Sequence, residues 1–324
     1  MPHEGEVKIG TLGQLMGFSV QMQRVYTAIR KVSPHPLAVL VGGESGTGKE
    51  SAARAIHLLS PRRNEPFVGL DCTSFAPTLL EPELFGYEKG AFVGASQTQW
   101  GLLSLAGEGS LFLQEVAELP LTLQGKLLRA METGRFSTIG SPANLPLRAR
   151  IVAGTRRDLR ELVKQGLFRE DLYLRLSVTQ IDIPALREHR GDIPLLADSF
   201  IEKYAGVEAQ LAFSSAAMSC LLAYDWPGNV AELQEVVRRA VSAASGPTLG
   251  VDDLNLILGG QLVWHSNPES GVYNLPVDEH ERNALMWALR ESEGDRAAAA
   301  GRLGIGRGTF NRRLKYYGLA AGKL

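Results

Sequence analysis

Apolar residues follow two rhythms along the chain. In the first half, short apolar runs at residues 36–41, 67–70, 110–113 and 150–153 alternate with longer stretches of helical periodicity. This alternation predicts a parallel sheet wrapped by helices, because parallel neighbours can pair only after a long crossover. Past Arg190 the rhythm changes. Ile193, Leu196, Ala197, Phe200, Ile201 and Tyr204 recur at i, i+3, i+4 spacing, and Leu221, Leu233, Val236 and Val237 continue the pattern, which predicts an all-helical segment. Residues 259–276 scatter Gly, Ser, Asn and Pro and read as a linker. Beyond them one helix is predicted over 278–293, with Leu285, Trp287 and Leu289 among its apolar residues. A second is capped by Asp295 and runs to Leu303. Gly304-Ile305-Gly306 turns the chain into a third over 307–317, with Phe310, Leu314 and Tyr317 facing inward. The expected organisation is a tail over 1–14, an α/β unit over 15–186, a helical unit over 187–258, the linker over 259–276 and a terminal three-helix unit over 277–324.

Charge changes this picture only locally. The chain's 324 residues carry a formal net charge of -1, which excludes a uniformly basic nucleic-acid binder and leaves room for a local basic surface. Such a surface is predicted at the end: residues 295–324 hold seven Arg or Lys and one acid, whereas residues 276–294 hold two basic and five acidic residues. A solvated basic helix face is the plainer account. The helix-turn-helix pattern beneath the charges favours DNA, with Arg307, Thr309, Asn311, Arg312, Arg313 and Lys315 as the candidate contacts. Two cysteines, Cys72 and Cys220, are too few for a disulfide framework or a metal cluster, so no metal-ligating set is assigned and both are expected as buried thiols. The N-terminus has no apolar signal region and no run is long enough to cross a bilayer, which predicts a cytoplasmic protein without a membrane partner.

The first predicted strand runs directly into Gly43-Glu44-Ser45-Gly46-Thr47-Gly48-Lys49. Glycines let the backbone wrap a phosphate chain, the following helix presents its positive end, and Lys49 adds a point charge, so strand, loop and helix together predict an ATP or ADP site. Glu50 stands where a hydroxyl usually helps hold Mg²⁺. The basic loop Arg62-Arg63-Asn64 after this helix reads as a solvated loop, with a cyclic dinucleotide as the other reading.

The chain resembles the bacterial enhancer-binding proteins, the AAA+ activators of sigma-54 RNA polymerase. The resemblance rests on Gly43 to Glu50, on Glu83-Leu-Phe-Gly-Tyr-Glu-Lys-Gly-Ala-Phe-Val-Gly-Ala95, on Trp226-Pro-Gly-Asn-Val-Ala-Glu-Leu233 and on the Fis-like terminal segment. It implies an AAA+ core with a small helical lid and a terminal helix-turn-helix that dimerises on paired DNA half-sites. It implies that Glu115 polarises the attacking water, that Arg169 and Arg175 reach a neighbouring subunit's nucleotide, and that Gly90, Ala91, Phe92, Val93, Gly94 and Ala95 form the loop that meets sigma-54. An oligomer follows, from dimer to hexameric ring, or a mixed assembly with a paralogue.

Several positions depart from the family pattern. Val93 replaces the loop threonine, Gln114 the aspartate that positions Mg²⁺, Arg156 the asparagine that senses the γ-phosphate, and Ala231 an arginine of the lid; Asp71 stands where an asparagine restrains the catalytic glutamate. The expectation is therefore a DNA-binding transcription regulator that binds nucleotide with weak or absent hydrolysis and atypical use of sigma-54. The alternative is a working ATPase that remodels the sigma-54 holoenzyme. A receiver or sensor domain before the AAA+ module is expected to be missing.

Overall fold

The computed structural model describes residues 11–12, 14–206, 210–244, 246–258 and 279–319. The predicted linker over 259–276 and most of the predicted tail lie outside the described residues. Within that tail, Thr11–Leu12 pair antiparallel with Leu15–Met16. The described residues group into two compact units, one of Val25–Glu44 with Lys49–Ile183, the other drawn from Met1–Arg24, Ser45–Gly48 and Pro184–Leu324.

The first unit is built on β1 (Val39–Gly42), β2 (Phe67–Asp71), β3 (Ser110–Gln114), β4 (Arg150–Thr155) and β5 (Gln180–Asp182). All pair in parallel, in the order β5-β1-β4-β3-β2. The four predicted strands are all present. The fifth was missed because only Ile181 of its three residues is buried, and a single apolar position has no period to read.

Among the described residues eight α-helices belong to this half of the chain: α1 (Val20–Val32), α2 (Lys49–Leu58), α3 (Pro77–Phe85), α4 (Leu102–Leu105), α5 (Leu121–Thr133), α6 (Leu159–Lys164), α7 (Glu170–Leu176) and, opening the second unit, α8 (Ile193–Ala205). Interior strand β3 is buried along Ser110, Leu111, Phe112 and Leu113, as expected for a strand covered on both faces. Leu111 and Leu113 join Leu70, Leu84, Leu127, Ile151 and Leu172 in one core.

Arg150 is buried at the start of β4, and its guanidinium donates to the carbonyls of Val32, Ser33 and Leu37 at 2.8, 2.9 and 3.0 Å. Burial pulls this group down to about 10, and the nearby Arg62 guanidinium adds to the shift. One buried cation thus satisfies three carbonyls at the end of α1 and the approach to β1.

The second unit adds α9 (Ser215–Ala223), α10 (Asn229–Ala243), α11 (Val251–Leu258), α12 (Glu279–Glu291), α13 (Arg296–Leu303) and α14 (Arg307–Tyr316). The residues predicted to line one face of α8 do so: Ile193, Leu196, Ala197 and Ile201 pack with Leu221, Trp226, Leu233, Val236 and Val237. Asp192 ties this unit's N-terminal segment down, accepting from the Phe18 and Ser19 amides at 2.7 and 3.0 Å and from Ser19 Oγ at 2.6 Å.

Replacing Arg150 by Met keeps an apolar stem but leaves three carbonyls without their donor. The expected outcome is a loss of about 3 kcal/mol, read as a lowered urea midpoint in the transition of the α/β unit; an unchanged midpoint would show that water replaces the guanidinium there.

Candidate nucleotide and DNA sites

The parallel register sets the first site. Because β2, β3 and β4 all point the same way, their C-terminal ends bring Asp71, Gln114 and Glu115, and Thr155 and Arg156 to one edge of the sheet. Glu115 leaves β3 in the left-handed region, φ 54, and is buried. Lys49 Nζ lies 3.2 Å from Glu115 Oε1 and also donates to the Gly43 and Glu44 carbonyls at 2.9 and 3.0 Å. The Arg156 amide donates to Glu115 Oε2 at 3.1 Å, with the guanidinium Nε 3.9 Å from the same oxygen. The expected base is therefore gripped on both oxygens by cationic groups.

Gln114 sits in register with Asp71 and donates its Nε2 to Asp71 Oδ2 at 3.3 Å, while Asp71 Oδ1 accepts from Thr73 N and Oγ1 at 2.9 and 2.7 Å. The amide–carboxylate pair that the resemblance implies is present with its members exchanged between strands. Behind it Cys72 is buried, and burial, reinforced by the Asp71 and Glu115 charges, pushes its thiol up to about 12. Both cysteines are free and buried, as expected.

The phosphate-loop glycines carry the conformations the motif requires: Gly43, Gly46 and Gly48 have φ 148, 78 and 100. Ser45 and Gly46 group with the helical unit. There the Ser45 carbonyl accepts from Asn229 Nδ2 at 2.9 Å, and the Gly46 carbonyl accepts from the Ala231 amide at 3.2 Å. A Cβ on Gly46 would fall 2.1 Å from the Gly228 carbonyl oxygen, so the Trp-Pro-Gly-Asn turn and the loop are fitted to one another. Glu50 points elsewhere, into an exposed pair with Arg54 at 2.8 Å. Beside the sheet edge a cavity of about 420 Å³ is lined by Gly42, Gly43, Arg156, Arg157, Tyr173 and Asp182.

The two candidate finger arginines are exposed around α7 and do not contact the Lys49–Glu115 pair. Arg169 pairs with Asp171 at 2.7 Å and Arg175 donates to the Met131 carbonyl at 3.3 Å. Around them Leu167, Leu174 and Val178 are more than half exposed. Gln124, which sequence reasoning passed over inside a helical stretch, fixes this corner by accepting from the Arg169 amide at 2.8 Å and donating to the Leu119 and Leu167 carbonyls. Arg62 spends its guanidinium on the Glu108, Gly109 and Arg148 carbonyls, a loop-bracing role.

The loop expected to meet sigma-54 lies between Gly86–Tyr87 and Gln99–Trp100, which pair antiparallel. Gly90 and Gly94 take φ 84 and 104, the Gly90 amide donates to the Ala95 carbonyl, and Phe92 packs edge-on against Tyr87 at 4.9 Å. Val93 is fully exposed, at 104%.

At the terminal end Asp295 caps α13, accepting from the Ala297 and Ala298 amides, and Gly304 turns the chain at φ 73. Phe310 and Leu314 are fully buried, as expected. Three of the predicted DNA contacts are engaged within the fold. Arg313 is 4% exposed and forms two bonds to Glu281, at 2.6 and 2.5 Å; burial opposes its charge, but the Glu281 bonds outweigh it and raise the guanidinium above its ordinary range. Thr309 is fully buried and bonded to Glu202, and Arg312 is half-buried against Asp198 and Leu211. Surface pattern alone could not reveal this, because the partners lie 32 to 114 positions away. Arg307 and Lys315 remain exposed.

Comparison with known proteins agrees with this geometry. Residues 15–182 match the sigma-54 interaction domain, 187–263 the AAA+ ATPase lid domain and 276–317 the bacterial regulatory proteins of the Fis family. The chain is 40% identical over 318 residues to the regulatory protein AtoC of Escherichia coli, covering 95% of this chain and 68% of that protein. It is 41% identical over 302 residues to the transcriptional regulatory protein ZraR of Klebsiella oxytoca, covering 93% and 68%. Among solved structures, NtrX from Brucella abortus in complex with ADP superposes with a TM-score of 0.71 at 31% identity, covering 94% of this chain and 70% of that one.

The buried Arg313–Glu281 pair and the exposed Lys315 should separate cleanly on substitution. Arg313→Ala leaves the buried Glu281 carboxylate without its guanidinium and is expected to cost about 3–5 kcal/mol of terminal-unit stability, seen by thermal melting. Lys315→Ala should leave melting unchanged while lowering the salt-dependence slope of duplex binding by about 1.

Proposed function

Since this chain belongs to the sigma-54-dependent transcriptional activator family of AAA+ proteins with a Fis-type helix-turn-helix, we propose that it is a DNA-binding transcription regulator that binds ATP and turns it over slowly. The reading assigns 15–186 to the nucleotide-binding subdomain, 187–258 to the lid and 277–324 to DNA binding. Gly43 to Lys49 wrap the phosphates with backbone amides, and Lys49 moves from the loop carbonyls onto the β- and γ-phosphates. Lys49 and Arg156, two cations flanking the end of β3, support ATP (or ADP) as the ligand.

The observation that carries slow turnover is the grip on Glu115. A base must reach a water to take its proton, and here Lys49 Nζ at 3.2 Å and the Arg156 amide at 3.1 Å already occupy the two oxygens of Glu115 that would do so. Arg156 also places a positive charge where the family has a neutral amide, and Ala231 offers only its backbone to the Gly46 carbonyl. Each lost preorganised stabiliser costs about 10²–10³ in rate, although such losses do not simply multiply.

A bound Mg²⁺ would supply positive charge to offset the charge that develops on the phosphates. Such an ion needs one or two carboxylates beside the phosphates. Asp71 and Glu115 fit that requirement at the ends of β2 and β3, and Gln114 does not. This surviving carboxylate favours a second reading, an active ATPase that remodels the sigma-54 holoenzyme, with the acid displaced by one strand. Exposed Arg169 and Arg175 among exposed leucines support an oligomer whose subunits share nucleotide under either reading. The loop would meet sigma-54 through Phe92 and a Val93 methyl surface that cannot hydrogen-bond.

Phosphate release decides between the two readings. The natural protein is expected to bind ATP in calorimetry yet release phosphate at least about 10²-fold more slowly than the Gln114→Asp, Arg156→Asn, Ala231→Arg variant. Equal rates, together with a Mg²⁺-dependent ATP affinity that Asp71→Asn removes, would establish the second reading instead.

A further inference from the structure

α14 begins at Gly306, an N-cap with no side chain to accept from the amides of the first turn. Glu202, on α8, supplies the acceptor from a distance. Its Oε2 takes the Thr309 amide at 3.1 Å and Thr309 Oγ1 at 2.5 Å. The fit is close enough that a Cβ on Gly306 would lie 1.9 Å from Glu202 Oε1. One turn further along α14, Arg312 Nη2 donates to the Asp198 carbonyl at 2.7 Å and Nη1 to the Leu211 carbonyl at 3.3 Å, while Nε lies 3.4 Å from Asp198 Oδ1. Asp198 and Glu202 stand four residues apart on α8, one turn of the helix, so a single face presents both carboxylates.

An anion on the first-turn amides of a helix, flanked by a threonine hydroxyl and a guanidinium, is the arrangement by which proteins hold a DNA backbone phosphate. The N-terminal residues of a recognition helix are also those that reach base edges. We propose that α8 is an intramolecular competitor of DNA: Glu202 and Asp198 occupy the positions of backbone phosphates on α14, and the helix-turn-helix binds DNA only after leaving them. Both partners need the Thr309 amide, the Thr309 hydroxyl and the Arg312 guanidinium, so docking and DNA binding exclude each other.

An apolar contact holds the same docked position. Leu195 of α8 and Phe18 lie in one buried cluster with Leu285, Ala288, Ile305 and Phe310 of the terminal unit. By linkage, whatever stabilises the docked arrangement weakens DNA binding by the same factor, and DNA weakens docking in return. This inference rests on the DNA-binding reading proposed above.

The test uses the full chain and a fluorescent mixed-sequence duplex of about 30 base pairs, long enough for half-sites one or two helical turns apart. Asp198→Asn with Glu202→Gln is expected to tighten duplex binding about tenfold and to speed hydrogen exchange over residues 306–313 in the duplex-free protein. A second arm needs no substitution: saturating duplex should speed exchange over residues 198–205 of the natural protein as α8 loses its cover. Unchanged affinity and exchange in the variant, or unchanged exchange over 198–205 with duplex bound, overturns the competition while leaving DNA binding intact. If neither the natural protein nor the variant binds duplex, the DNA-binding reading falls and the competition falls with it.

Discussion

Parallel register is the constraint on which the nucleotide chemistry depends. Strands that all run one way end together, and the ends of β1 to β4 are where the phosphate loop starts and where Asp71, Gln114, Glu115 and Arg156 stand. None of these groups needs a dedicated scaffold, because the sheet's hydrogen-bond ladder fixes their spacing. The cost is that every charged group at this edge feels its neighbours. Lys49 holds Glu115, the Arg156 amide holds the other carboxylate oxygen, and Gln114 holds Asp71. A substitution at one position is answered by its neighbour, and for that reason the amide–carboxylate exchange across β2 and β3 bears on the whole site.

The terminal unit shows the same coupling in a less exposed setting. Its acids and bases are divided along the sequence, and the divided halves meet in space: Glu281 on α12 pairs with Arg313 on α14 inside the fold. A buried ion pair of this kind is weak evidence for net stability, yet removing one member is costly. It therefore acts as a fixed strut that sets which side chains of α14 remain outside, and Arg307 and Lys315 are among those. Near the start of α14, Thr309 and Arg312 are bonded to Glu202 and Asp198 of α8, so Arg312 as well as Arg313 is drawn away from the basic surface.

Much of the architecture was legible in sequence because it is written in local periods. Four of five sheet strands, the apolar face of α8, the Asp295 cap and the Gly304 turn each depend on residues within a few positions of one another. The phosphate loop was legible for the same reason, its glycines marking positive φ at fixed offsets. β5 was not, being three residues long with one buried apolar side chain.

Sequence by itself determined the fold class, the phosphate loop, the helix-turn-helix and the changed positions Val93, Gln114, Arg156 and Ala231, since each is a matter of residue type at a short spacing. Tertiary structure alone decided which charges are free. Arg313 and Lys315 are two positions apart on one helix and read alike as bases, yet one is a buried strut and the other faces solvent. The difference lies in Glu281, 32 positions away, and charge pairing across such a separation depends on distances that only the folded chain defines.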